Sequence, residues 1–513
     1  MNSTPAISEG RRTARSLAAV IDVSQSDNRM RRVRHAGHLY SVRTSLELRC
    51  SAIETDKEVD SLMLRLLLSL GITLIASVPA SLAQSVSPSG LQKIDHIVVI
   101  YLENRSFDNL FGLFPGADGL QNATATATQV DLAGKPYVTL PPVMETSKKP
   151  PVPDARFPQV IPNKPFLIDN YLGLEDIDPN LTHLWYQQQA QIDGGKMDRF
   201  AAISDAGGLV MGYHDGSKTK LWQYAKEFTL ADNFYHAAFG GSFLNHFWTI
   251  CACTPVFPDA PKTLVSEEAS DGRMIRDGEV TPDGYAVNTL FSVYAPHPPS
   301  VDPARLLPPQ TFPTIGDRLD AKGISWAWYS GGWNDALAGK FGRAFQFHHQ
   351  PFAYFKSYGD GTEGKKIHLK DEDDLIGAVE NATLPSVVFF KPVGEENEHP
   401  GYANVLSGDE KVADIIERIR RSPLWRSTVI IVTYDENGGF WDHVAPPKLD
   451  RWGPGVRVPT VIVSPLAKRG FVDHTIYDTT SILKLIESRF DLPPLAERDA
   501  NANGLTNALE LGQ

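Results

Sequence analysis

The sequence predicts an α/β protein built on a mostly parallel sheet, and three observations carry that expectation. Five near-continuous apolar runs, 96–101, 324–329, 386–390, 428–434 and 459–463, have the length and the β-branched and aromatic content of strands buried on both faces. Helical stripes lie between them: Val412, Ile415, Ile416 and Ile419 align from Lys411 to Arg421, and Ile482, Leu485 and Ile486 align from Thr480 to Phe490. Strand and helix alternate along the chain, the order that builds a parallel sheet with helices on both sides. Pro-rich stretches at 135–166 and 295–313 read as long surface connections, and no internal repeat is visible.

Composition supports a large core. The 513 residues are 42% hydrophobic and 21% charged, which excludes a disordered chain, a collagen and a disulfide mini-scaffold. With 49 basic against 61 acidic residues, net −12, the chain has no basic footprint for a nucleic-acid backbone. Small substrates or lipid remain open as partners.

The first 50 residues hold nine Arg and no Lys against four acids and show no sustained apolar period. From Met63 the pattern changes to one basic residue, Arg65, an apolar run to Ala76, and small residues at Ser81 and Ala83. This is the layout of a secretory signal. The expected organisation is therefore a disordered or untranslated extension at 1–62, a signal peptide at 63–83, and one domain with loop insertions at 84–513. Such a protein is exported, periplasmic or extracellular. No other stretch is long and apolar enough to anchor it in a membrane after cleavage. Past the signal only Cys251 and Cys253 are left; a bridge across one residue is strained, so they read as buried or reactive thiols, and no second Cys or His pair stands at zinc spacing.

The residues after the strands carry the chemistry. The first strand runs into Leu102-Glu103-Asn104-Arg105-Ser106-Phe107-Asp108, and the 428–434 strand into Asp435-Glu436-Asn437-Gly438-Gly439. Both place carboxylates at a strand's carboxyl end, where open α/β sheets bind ligands, and hard oxygen donors grouped this way suit a divalent cation. One acid there is ordinarily a cap or turn residue; two strands each delivering acids beside an Asn are harder to explain so. Gly240-Gly241 before Ser242 lets the backbone turn and leaves Ser242 at a helix start, a place for an anion or a nucleophile as well as for a plain N-cap. The surrounding residues are not a lipase-type Gly-x-Ser-x-Gly elbow. His183, the pair His348-His349 and His399 are the histidine candidates. His443 follows the Asp435-Glu436 strand closely and is expected to support it, whereas His368, at a Lys/Asp-rich helix start, is set aside.

Together these segments resemble the bacterial phosphoesterase family that contains secreted phospholipases C and respiratory-burst-inhibiting acid phosphatases. The resemblance rests on Asp95-His96-Ile97-Val98-Val99 with Glu103 to Asp108, Gly194-Gly195-Lys196-Met197-Asp198, Asp232-Asn233-Phe234, and Thr433 to Val444, extended by Arg457-Val458-Pro459 and Ser464-Pro465. It implies an alkaline-phosphatase-like three-layer α/β/α sandwich with one active site at the carboxyl edge of the sheet. Gly240 to His246 and His348-His349-Gln350-Pro351-Phe352 look more like the acid phosphatase branch. Asp435 to Gly439 also lacks an extra Asp common before the glycines of phospholipases.

Carried over, Glu103, Asn104, Asp435 and Glu436 would bind a divalent metal ion together with the Ser242 hydroxyl, and His183, His348, His349 and His399 would line the phosphoryl site. The resulting expectation is a secreted, metal-dependent acid phosphatase that hydrolyses phosphomonoesters of small molecules through a phosphoserine. Cationic histidines would then favour an acid optimum. The alternatives are a phospholipase C acting on phospholipid and a non-enzymatic metal- or anion-binding protein. The signal pattern yields the first prediction: amino-terminal sequencing of exported protein should begin at Gln84, and an active form that retains Met1 in the cytoplasm would overturn the reading.

Overall fold

The computed structural model describes residues 90–269 and 274–512; the expected extension and signal at 1–83 lie outside them. Among the described residues eight strands form the main sheet. They are β1 (His96–Leu102), β2 (Thr229–Ala231), β3 (Trp326–Ser330), β4 (Leu369–Asp371), β5 (Val387–Lys391), β6 (Thr428–Tyr434), β7 (Thr460–Val463) and β8 (Phe471–Asp473), in the spatial order β4-β3-β5-β1-β6-β7-β2-β8. Only β7 runs against its neighbours; every other pairing in the sheet is parallel.

The long apolar runs are strands because every position in them is covered. β5 and β6 are buried along their whole length, and β1 at all but its first residue. A sheet buried on both faces needs helices on both, and two separate groups supply them. The helix α3 (Val405–Arg421) packs with Lys220–Glu227 and Glu372–Glu380, while α2 (Ser242–Cys251) packs with α4 (Thr480–Phe490) and Ile315–Ala321. A shorter helix, α1 (Trp185–Ile192), lies in the insertion between β1 and β2. The α/β expectation therefore holds, with all described residues in one unit, Leu82–Gln513.

Several details differ from the sequence reading, each for a local reason. α3 begins at Val405, ahead of the Lys411 its stripe suggested, because Asn404 caps it by accepting the Ser407 N–H and the polar Ser407, Asp409 and Glu410 interrupt the apolar period. β2, β4 and β8 are three residues each, too short for a pattern to register. The 135–166 stretch is more than a surface connection: Leu140, Val143, Phe157 and Ile161 bury against Phe200, Leu209 and Trp441 in a second core.

Cys251 and Cys253 are joined in a disulfide, which corrects the free-thiol reading. α2 ends at Cys251, and Ala252 takes a left-handed conformation, φ 46°, that folds the chain back and brings the two Cα atoms to 5.1 Å, within bridging range. His368 closes the helix Glu363–His368 rather than starting one, and its ring stacks on Trp326 at 4.1 Å. Among the described residues no helix is long and apolar enough to cross a membrane.

The centre of the sheet supplies a stability test. Ile431, fully buried at the middle of β6, should cost about 2–5 kcal/mol when replaced by Ala, read from the shift of the chemical denaturation midpoint. A loss under about 1 kcal/mol would mean that β6 is not the packed centre described.

Candidate active site

The parallel register of β1 and β6 brings the two acidic motifs together. Leu102 pairs with Tyr434, so the chain leaves both strands side by side, and the Asp435 N–H donates to the Leu102 carbonyl at 3.1 Å. Glu103 and Asn104 therefore stand beside Asp435 and Glu436. Asn104 has φ 61°, a left-handed conformation that Asn tolerates better than most residues, and its N–H donates to Asp435 Oδ1 at 3.2 Å. Gly438, φ 62°, permits the turn that follows: a Cβ there would lie 2.4 Å from the Asn104 carbonyl oxygen.

Ser242 reaches the same point from the opposite side of the sequence. Gly240, φ 85°, turns the chain against Trp185, leaving Gly241 as the N-cap of α2 and Ser242 as its first residue. Its hydroxyl makes no cap. It donates instead to Glu103 Oε2 at 3.1 Å and to Asn104 Oδ1 at 3.3 Å. A cavity of about 360 Å³ opens over these atoms, lined among others by Glu103, His183, Ser242, His348, His399 and Tyr402.

The four candidate histidines, from three segments, lie around these atoms. His183 Nε2 lies 3.2 Å from Asn104 Nδ2 and 3.4 Å from Glu436 Oε1. His349 Nε2 lies 2.8 Å from Glu103 Oε1, His399 Nε2 4.0 Å from Glu103 Oε2, and the His348 ring meets the His349 ring edge-on at 4.8 Å. His183 and His399 each place Nδ1 on a backbone carbonyl, of Leu181 and Pro400, both at 2.6 Å. A carbonyl only accepts, so Nδ1 carries the hydrogen and Nε2 keeps its lone pair toward the site.

Burial governs the charges. It holds His183, His348 and His349 below the ordinary imidazole value and pulls His399 down to about 3, so these rings are neutral near neutral pH. Burial also works against ionised Glu103, but Lys391 at 2.5 Å and His349 outweigh it and keep this carboxyl well below its usual range. Asp435 is pushed up to about 8 by burial and by the charge of Glu103, and Glu436 is raised well above its ordinary value by burial and by Asp435.

These acids fit a cation. Asp435 Oδ2 and Glu436 Oε1 are buried with no hydrogen-bond partner, and neither side chain has a lysine or arginine in ion-pair contact among the described residues. Orphaned carboxylate oxygens beside an amide and a hydroxyl oxygen form a hard donor set, and a divalent ion among them would remove the reason for both raised values.

Sequence reasoning missed Lys391 and His246. Lys391 is the charged end of the apolar run Val387-Val388-Phe389-Phe390, and a charge closing a buried strand at the ligand edge was a readable signal. His246 stands four residues after Ser242, one helical turn on, and its Nδ1 donates to the Ser242 carbonyl at 2.7 Å.

His443 corrects an expectation, since it does not support Asp435-Glu436. The turn at Gly438-Gly439 redirects the chain, and His443 Nδ1 bonds Asp108 Oδ2 at 2.7 Å while Nε2 meets Asp118 at 3.2 Å. Arg457 sits in the same cluster, 2.8 Å from Asp442 and 3.3 Å from Asp108. Its guanidinium already supplies the positive charge that Asp108, Asp442 and His443 would otherwise take from a metal.

The model of the Phosphoesterase family matches residues 94–493. Over 445 residues the chain is 26% identical to a non-hemolytic phospholipase C of Burkholderia pseudomallei, covering 78% of this chain and 56% of that protein. Over 473 residues it is 26% identical to phospholipase C B of Mycobacterium tuberculosis, covering 82% of this chain and 78% of that protein. The chain thus spans little more than half the length of the Burkholderia relative. A solved structure of a protein in the alkaline phosphatase superfamily from Vibrio parahaemolyticus aligns with 74% of this chain and 77% of its own, at 10% identity and a TM-score of 0.32.

The His443 cluster makes stability depend on pH. Burial opposes the charged ring, but the Asp108 carboxylate and Asp442 outweigh it and push His443 up to about 9. The folded value lies above the ordinary 6.5, so the stabilisation is complete below about pH 6.5 and is lost as pH rises through about 9. Urea unfolding across that window should show a loss on the order of 2–3 kcal/mol, and His443→Gln should flatten it. An unchanged slope in the variant would assign the dependence to other groups.

Proposed function

The chain belongs to the Phosphoesterase family, and from that premise we propose that it is a metal-dependent phosphoester hydrolase with Ser242 as nucleophile, acting on phosphodiesters in the manner of a phospholipase C. One observation carries the catalytic part: the Ser242 hydroxyl, heading a ten-residue helix beneath an open cavity, is held by Glu103 and Asn104 within 3.1 and 3.3 Å. The substrate part is supported by the relatives, which are named phospholipase C. Their names put the phosphodiester alternative ahead of the phosphomonoester expectation.

Glu103, Asn104, Asp435 and Glu436, with Ser242, are the residues that would hold the metal. A divalent ion there would ease loss of the Ser242 proton and offset charge on the phosphoryl oxygens. Glu103 and Asn104 accept the hydroxyl hydrogen, which turns an oxygen lone pair toward the cavity. The free N–H groups of the first turn of α2 favour a phosphoryl anion in front of Ser242. Attack forms the Ser242 O–P bond as the bond to the leaving oxygen breaks, and water then cleaves the phosphoserine. His183 and His399 present Nε2 lone pairs that can take the Ser242 proton and pass it to the leaving oxygen in the first step, then take a proton from the water and return it to the Ser242 oxygen in the second.

A phosphomonoesterase is the second reading. The features favouring it are Ser242 itself, with Gly240-Gly241, and the pair His348-His349, of which His348 lines the cavity and His349 contacts Glu103. In either case the export expected from the 63–83 pattern would deliver the enzyme outside the cytoplasm.

The test compares a soluble aryl phosphomonoester, a soluble aryl phosphodiester and dispersed phosphatidylcholine. The phospholipase reading expects higher kcat/KM on the diesters and release of phosphocholine; preference for the monoester would return the acid phosphatase reading. Ser242→Ala should lower turnover by on the order of 10³-fold or more while remaining folded. Near wild-type turnover in that variant would sink covalent catalysis.

A further inference from the structure

Glu103 faces two ways. Its Oε2 receives the Ser242 hydroxyl, on the side of Asn104, Asp435 and Glu436. Its Oε1 looks toward a different group: Glu103, His246 and His349 offer one carboxylate oxygen and two ring nitrogens that all lie within 4.8 Å of one another.

The chemistry of this triad is that of a metal site. His246 gives its Nδ1 hydrogen to the Ser242 carbonyl at 2.7 Å, so its Nε2 carries a lone pair; that atom is fully buried and has no hydrogen-bond partner. His349 Nε2, also buried, lies 2.8 Å from Glu103 Oε1, and the two imidazole rings stand parallel, 5.1 Å apart. Two imidazole nitrogens and a carboxylate oxygen suit a zinc-class ion better than a hard one such as magnesium.

Yet the charge that such an ion would bring is already present. Lys391 is fully buried at the end of β5, with Nζ 2.5 Å from Glu103 Oε1, 3.1 Å from the Leu102 carbonyl it donates to, and 5.2 Å from the centre of the Tyr101 ring. All three partners sit on β1 or immediately after it, so the ammonium is fixed rather than swinging. A dication sharing Glu103 Oε1 would stand a few ångströms from this ammonium, in surroundings with little water to screen the repulsion.

We propose that Lys391 is the second cation of a two-cation centre: its ammonium supplies at Glu103 Oε1 the charge for which the His246 and His349 nitrogens would otherwise recruit a zinc-class ion, and it restricts the protein to one divalent metal. The proposal rests on the reading that a metal is held by Asn104, Ser242, Asp435, Glu436 and the other oxygen of Glu103. It adds a function for a side chain that this reading leaves without one.

Metal stoichiometry tests it directly. Purified wild-type protein, stripped and titrated with Zn²⁺ or Co²⁺ in a calorimeter, should bind one equivalent. Lys391→Met should bind two, the second with the cobalt absorption of nitrogen ligation, and Lys391→Met combined with His246→Ala should return to one. Lys391→Arg, which keeps the charge, should stay at one.

Two equivalents in the wild type, or a folded Lys391→Met that binds no more equivalents than the wild type, would overturn the proposal. If Lys391→Met folds only when zinc is added, the requirement for a replacement cation is itself the expected result, whereas a variant that zinc does not rescue leaves the wild-type and Lys391→Arg stoichiometries to decide. No binding to wild type with one nitrogen-ligated equivalent in Lys391→Met would remove the metal reading of the proposed function and keep this inference; no binding to either protein would remove both.

Discussion

The pairing of β1 with β6 is the constraint from which the site follows. Seven consecutive residues of each strand are in register, from His96 with Thr428 to Leu102 with Tyr434. Parallel strands end at the same edge, so Glu103-Asn104 and Asp435-Glu436, far apart in sequence, become neighbours without any loop having to carry them. The strands are buried on both faces, so the groups at their ends inherit a rigid frame and little water. That frame is what allows four acidic or amide side chains to be held at fixed separations.

Low water content then determines how each charge is handled. Glu103 is ionised because Lys391 touches it. Arg105 is matched by Asp178 at 2.5 Å, which His214 also contacts, and its guanidinium bonds the Glu398 carbonyl twice, beside His399. Arg457 is matched by Asp108 and Asp442. Each of these basic groups sits where a buried acid would otherwise be unaccompanied. Asp435 and Glu436 are treated differently: both carboxyls are pushed upward and one oxygen of each is left without a donor. Compensated and uncompensated acids thus stand a few residues apart on the same chain, Asp442 with Arg457 and Asp435-Glu436 with neither lysine nor arginine in ion-pair contact among the described residues.

The sulfur chemistry and the insertion show the same dependence on local geometry. A two-residue separation between cysteines argues against a bridge on an extended or helical backbone. The left-handed Ala252 after α2 removes that objection. The Pro-rich stretch at 135–166 has no strong periodicity, yet its apolar side chains find Phe200, Leu209 and Trp441, which belong to later segments of chain. In both cases the deciding partner or dihedral is invisible to a pattern read along one segment.

How much was legible in the sequence follows from what each feature depends on. The five long strands, α4, the α/β class and the candidates Glu103, Asn104, His183, Ser242, His348, His349, His399, Asp435 and Glu436 could be read there. Continuous apolar runs and the chemistry at their ends are properties of adjacent residues, and the motif resemblance supplied the rest. The three-residue strands could not, nor could the role of His443, which follows from the turn at Gly438-Gly439 and the arrival of Arg457 beside Asp108. Lys391 and His246 came beside Glu103 and Ser242 only when β5 lay against β1 and α2 came to rest beside their ends. Sequence determined which strands form and what each carries at its end; the tertiary structure decided which charges meet, because in a buried site an interaction depends on distances of a few ångströms between residues hundreds of positions apart.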